Sequence, residues 1–422
     1  MTPQDSLILY STQRLSTVLQ ELTRLKELPL PYKHPEDALE LLAEDIRAQL
    51  EVVRSGPKGS KRANVRTRCA IAVSGLSDYV PLMGFIARSA EVRNAFEFYG
   101  PFLRLCKRIL GPNTKLILST RWGYAPATYI APEYLPGFVV IGLPAPEASN
   151  PLLLPLGGHE LGHTIWEARG FKGKYKGQIR ERIMNAVRSN IAAYMAVFPK
   201  HGVKEDQTLV ELAENSSVTS TINRAVELGI NQAREYFCDF CGVFLFGPAF
   251  LDANAYFLPP GTERRSPDYP NIRQRADRLV EAANKYEEMY PSCYTLTVDY
   301  REMFEDCIDT IDVEGTYLTS LADVASGALA ATLMDSAASI LSDATVPQIS
   351  PAKVREIVNA YRYIVPAEHA ESVVNIVNAA WDVYRTEAFW PDLPADRSKR
   401  AVLSELVFKT FEVLESEELR RT

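Results

Sequence analysis

The chain has 422 residues, 46% hydrophobic and 23% charged, with a formal net charge of −7. That balance is typical of globular proteins, predicts two or three packed units, and argues against a surface built to coat nucleic acid. Six cysteines, at 69, 106, 238, 241, 293 and 307, are too sparse for a secreted disulfide scaffold, and the opening Met1 to Ser6 lacks the basic stretch of a signal peptide. The expected setting is a reducing cytoplasm. The longest weakly polar stretch, 324–334, is bracketed by Asp323 and Asp335 and is too short to span a bilayer.

Residues 5–54 predict helices. Leu15, Leu19, Leu22 and Leu25 step along one face; Pro29, Pro31 and Pro35 interrupt; Leu39, Leu42, Ile46 and Leu50 resume the spacing. Residues 55–62 are breaker-rich, and 54–68 hold six basic residues and no acidic one, the pattern of a solvated loop. Short β segments follow at 115–119, after a Gly-Pro-Asn turn, and at 137–143, bounded by prolines. Beyond 270 the pattern is helical, at 272–289, 317–341, 351–363, 367–385 and 398–418. The expected class is α+β, predominantly helical: an N-terminal helical region 1–110, a mixed core 111–290 and a helical C-terminal region 291–422.

Chemistry concentrates in Gly157-Gly158-His159-Glu160-Leu161-Gly162-His163. Histidines four apart on a helix face the same side, so both imidazoles can reach one zinc ion, and the intervening Glu160 can address a water beside it. The chain has only five histidines. A chance pair in this arrangement is improbable, and burying it on so apolar a helix would be costly without a partner. Pro151 suits a helix start and Gly170 a stop; Pro155 is awkward inside a helix and moves the start towards 154.

A catalytic zinc needs a third protein ligand, and none of His34, His201 and His369 lies at a short spacing from His163. On a helix predicted over 221–246, Glu235 and Asp239 share a face amid Phe237, Phe240, Val243 and Phe244. Glu235 fits as the third ligand, with Asp239 holding the far nitrogen of a ligating histidine; Glu227 and Glu214 are the fallbacks. Cys238 and Cys241 form a CxxC without further soft ligands nearby and read as core residues.

These residues resemble the gluzincin, or thermolysin-like, division of HExxH zinc metallopeptidases, whose pattern is HExxH followed on a later helix by ExxxD. The resemblance spans about residues 115–280. It implies His159, His163 and Glu235 as ligands, Glu160 as general base and Asp239 behind a ligand, on a zincin-like core. It also implies an edge strand along the cleft, a place held by 137–143. The run after Asp239 is similar to small bacterial cytoplasmic members, which often carry an HP…R segment downstream; here Tyr269-Pro270-Asn271-Ile272-Arg273 replaces the His. The long gap from His163 to Glu235 reads as an insert, 170–220, with a lid, a cleft wall or a partner platform as its alternatives. Its Lys172, Lys174 and Lys176 read as a solvated loop and leave a preference for acidic substrates open.

The expected function is that of a cytoplasmic zinc metalloendopeptidase, a hydrolase using Zn²⁺ and Glu160 on a peptide or protein substrate. Tyr269 and Arg273 are the candidates for steadying the oxyanion. No membrane partner is expected. The rival readings are a zincin-like binding or regulatory module without turnover, and a nucleic-acid-associated factor using the basic run 54–68. Substrate specificity and oligomeric state are not legible.

Overall fold

The computed structural model describes residues 3–30, 32–55, 65–89, 93–121, 127–129, 135–147, 150–257, 266–290, 300–304, 313–386, 389–393 and 398–421. Cys293, Cys307 and residues 56–64 of the basic run lie outside these. The chain is mostly helical with one small sheet, an α+β protein, and divides into two compact units, residues 1–107 with 111–150 and residues 108–110 with 151–422. The strands therefore fall with the N-terminal helices. The HExxH segment falls with the C-terminal ones, a two-part division in place of the expected three.

The first unit holds helices α1 (Pro3–Leu25), α2 (Lys33–Ser55), α3 (Val65–Ser74), α4 (Leu76–Arg88) and most of α5 (Arg93–Leu110). Strands β1 (Lys115–Arg121), β2 (Ala127–Tyr129) and β3 (Phe138–Pro144) complete it. The leucine stripes do what their spacing predicts: Leu15, Leu22, Leu39, Leu42 and Ile46 are buried together with Phe85, Ile117 and Val140. The sheet corrects one expectation. Its order is β1-β3-β2, with β3 parallel to β1 and antiparallel to β2. Residues 137–143 thus form the middle strand, and the edge-strand role implied for them does not hold. A second correction concerns apolar length. The described stretch long and apolar enough to cross a bilayer is Val65–Arg88, mean hydropathy 1.5 and 44% buried, and its Tyr79, Leu82, Phe85 and Ile86 are committed to the core.

The second unit is built on α10 (Ser216–Phe246), a helix of 31 residues, about 46 Å long. Asn215 caps its start, accepting from Ser217 N and Val218 N at 3.0 and 3.2 Å, and Gly247 (φ 59) ends it. Against it packs α6 (Leu156–Ala168), which carries the HExxH motif. The prolines explain the start of α6: residues Pro151–Leu153 form a 3-10 turn and Pro155 takes the N-cap, where a missing N–H costs little. The crossing is close because glycines make it so. A Cβ on Gly162 would lie 2.7 Å from Cys238 Cα, and one on Gly158 would lie 2.9 Å from the Phe246 ring.

The long gap before Glu235 folds as α7 (Phe171–Ser189), α8 (Ile191–Val197) and α9 (Leu209–Glu214). The first of these is a core helix. Phe171, Tyr175, Ile179, Ile183 and Val187 form its buried stripe, and Phe171 meets Trp166 edge to face and Tyr175 meets it tilted, with Phe237 beside them. Lys172 and Lys176 pair with Glu227, while Lys174 lies over the Phe171 and Tyr175 rings.

The remainder is α11 (Pro248–Phe257), α12 (Ile272–Met289), α13 (Val313–Gly327), α14 (Ala330–Asp343), α15 (Pro351–Arg362), α16 (Val373–Arg385) and α17 (Lys399–Arg421). The single helix expected over 317–341 breaks after Gly327, with a 49° bend. Asn378 of α16 stitches the α10–α11 junction, accepting from Ala249 N (3.1 Å) and donating to Phe246 O (2.9 Å).

Candidate metal centre

All residues expected at the metal meet on facing sides of α6 and α10. One helical turn separates His159 and His163, whose rings stand edge to face with centroids 5.0 Å apart. Across from them, Glu235 places Oε2 3.3 Å from His159 Nε2 and Oε1 3.8 Å from His163 Nε2. Asp239, one turn on, lies 2.8 Å from His159 Nδ1 through Oδ1. An ionised carboxylate only accepts, so Nδ1 carries the proton and donates it to Asp239. That leaves His159 Nε2 facing Glu235. The fallback ligands lie elsewhere: Glu227 is half-buried and paired with lysines, and Glu214 is exposed at the end of α9.

Asp239 is fully buried, and its carboxylate is clamped by Arg275 of α12, which donates Nε to Oδ2 at 2.6 Å and Nη2 to Oδ1 at 2.7 Å. This guanidinium is the one sequence reasoning missed. Arg273, the residue named instead, is exposed on the first turn of α12. A signal was present: Arg275 lies in line with Leu279, Ala282 and Tyr286 on the buried stripe of α12, and Arg273 does not.

The electrostatics follow from burial and the charge string. Burial raises the Asp239 carboxyl, but the Arg275 charge and hydrogen bonds outweigh it and hold it at about 2. Burial lowers the His159 imidazole, yet the hydrogen bond to Asp239 and the nearby Glu235 carboxylate overcome this and push it up to about 10. His163 has no such support, and burial brings it down to about 4. Glu235 Oε2 is buried without a hydrogen-bond partner, the approach of His159 Nε2 lacking hydrogen-bond geometry. Two electron-rich atoms this close and shielded from water call for a shared cation, a proton or a metal ion. The donor set of two imidazoles and a carboxylate fits zinc.

Two further groups complete the centre. Glu160 is 3% exposed on the motif helix. Tyr269, 47% exposed, has its hydroxyl pushed up first by the charge of Glu235, then by burial, with Glu160 adding to both. The loop carrying Tyr269 is tied to α10, where Gln232 Nε2 donates to Pro267 O (3.2 Å) and Asn231 Nδ2 to Asp268 Oδ1 (2.8 Å). The Arg275 guanidinium lies 5.9 Å from the centre of the Tyr269 ring.

Cys238, expected to be core alone, enters the group. Its Sγ and one nitrogen each of His159 and His163 lie within 4.8 Å of one another. Glu235 lies within 3.8 Å of both imidazoles. Burial also pushes the Cys238 thiol up. We therefore rank Glu235 ahead of Cys238 as third ligand. Cys241 is a buried free thiol. No protein-family model, curated protein or solved structure matches the chain.

Proposed function

We propose that the chain is a zinc-dependent metallopeptidase of the gluzincin type, with a zincin-like core formed by α6 and α10. His159, His163 and Glu235 would hold the ion. Zinc there would supply Lewis-acid polarisation of a peptide carbonyl and would acidify a water molecule. Glu160 removes a proton from the attacking water and delivers it to the leaving amine. Tyr269 donates its hydroxyl hydrogen to the carbonyl oxygen as negative charge develops on it. Asp239 and Arg275 act on His159 alone: they fix its tautomer and aim Nε2 at Glu235.

The observation that carries this reading is the 3.3 Å approach of His159 Nε2 to a buried Glu235 oxygen that has no hydrogen-bond partner among the described residues. Glu160 follows the first histidine on the same helix. Elemental analysis tests it: the purified protein should hold about one zinc per chain, and the combined His159→Ala and His163→Ala variant should hold none. Retention of zinc in that variant overturns the proposal. A second reading draws on Cys238. If its thiol joins both histidines and Glu235, four protein donors close the site, and the metal serves a binding or regulatory module without turnover.

A further inference from the structure

The mechanism above leaves one charged side chain of the centre unused. Arg234 precedes Glu235 on α10, and its side chain is 28% exposed. Its Nε is buried without a hydrogen-bond partner. Among the described residues its one ion-pair partner is Glu235, at 3.9 Å, beyond hydrogen-bond reach. The guanidinium nonetheless borders the centre, since the Glu235 Oε1 that it approaches is the atom lying 3.8 Å from His163 Nε2. Arg275 is fully engaged by Asp239; among the described residues, Arg234 has no partner at bonding distance.

Charge bookkeeping gives this a direction. With zinc bound, the two positive charges of the ion and the one on Arg275 are matched by the carboxylates of Glu160, Glu235 and Asp239. The guanidinium of Arg234 then leaves the centre with one positive charge in excess. A half-sheltered arginine with an unused donor selects a carboxylate, which it can bind through two parallel hydrogen bonds. We propose that Arg234 is a specificity-determining residue that binds a substrate carboxylate beside the scissile bond, so that the preferred substrates are peptides with an acidic side chain or a free C-terminus there. This rests on the peptidase reading and names its substrate class.

The test is binding to the zinc-loaded Glu160→Gln protein, followed by calorimetry. The probes are the four forms of one acetylated tetrapeptide, with Glu or Gln at the third position and a carboxylate or an amide at the C-terminus. At least one carboxylate form should bind roughly 10–100-fold more tightly than the neutral form, and the two singly charged forms tell side chain from C-terminus. Adding Arg234→Gln, at unchanged zinc content, should remove most of that preference, and Arg234→Lys should restore part of it. Equal binding of all four forms overturns the inference. So does a preference undiminished in Arg234→Gln, which would place the carboxylate on the metal instead. A protein that takes up no zinc overturns the metal reading and this inference together, whereas zinc uptake without carboxylate preference overturns this inference alone.

Discussion

Replacing Arg275 with methionine should weaken both the fold and the metal site without touching a ligand. Arg275 is 7% exposed and Asp239 is fully buried, joined by hydrogen bonds of 2.6 and 2.7 Å. Methionine fills much of the same space, so the loss is chiefly electrostatic. Asp239, now held at about 2 largely by Arg275, would keep only His159 as a hydrogen-bond partner among the described residues. Removing one side of a buried pair costs about 3–5 kcal/mol, a large part of a stability on the order of 5–15 kcal/mol. The Asp239 carboxyl should rise, and the hydrogen bond aiming His159 should weaken with it. Zinc affinity should then fall by about 10–100-fold, as when the partner behind a ligand is lost. Urea unfolding followed by circular dichroism reads the first effect, and competition with a chromophoric chelator reads the second. A loss below about 1 kcal/mol together with unchanged zinc affinity would refute the Arg275–Asp239–His159 chain of dependence.

Glu235→Ala should abolish tight zinc binding and Cys238→Ser should leave about one zinc per chain; the reverse pattern, read by elemental analysis, would make Cys238 the third ligand. Because His159 is raised to about 10 and His163 lowered to about 4, zinc uptake between those values must displace one proton from His159. Affinity should therefore rise about tenfold per pH unit, and a pH-stat should record one proton released; no release would contradict the assignment. The sign for stability runs the other way in metal-stripped protein. A raised folded pKa stabilises below the ordinary value near 6.5, and that contribution is lost as pH rises through about 10. Gly162→Ala should cost roughly 1–3 kcal/mol or more by overpacking, since its Cβ would meet Cys238 Cα at 2.7 Å. Gly173→Ala, with open space around it on α7, should be neutral or stabilising by about 0.5–1 kcal/mol; thermal melts of the two variants decide it.

Helical spacing made most of the helices legible, because burial of one stripe leaves a period in the sequence. It also paired Glu235 with Asp239 and His159 with His163, since residues four apart on one helix must share a face. What spacing leaves hidden is which helices cross, and where. The approach of Cys238 to the histidines depends on Gly162 letting α6 and α10 nearly touch, a contact between segments far apart in sequence. The middle-strand position of β3 was hidden for a similar reason: its antiparallel partner β2 is only three residues long, too short to show an alternation. Gly327, which marks the break between α13 and α14, is a helix-weakening residue visible in the sequence. Within the insert, Phe171 and Tyr175 begin the buried stripe of α7, a spacing that was legible in the sequence.

The sharpest single measurement is peptide-bond hydrolysis by wild type and Glu160→Gln at matched zinc content, over a proteome-derived peptide mixture. Glutamine keeps the shape of Glu160 and leaves His159, His163 and Glu235 in place, but it cannot accept a proton from water at neutral pH. Wild type should cut a defined set of peptides, and Glu160→Gln, equally folded and equally loaded, should cut them slower by at least about 10²–10⁴. Equal cleavage by the two proteins, or no cleavage by a zinc-loaded wild type, would contradict a peptidase that works through Glu160.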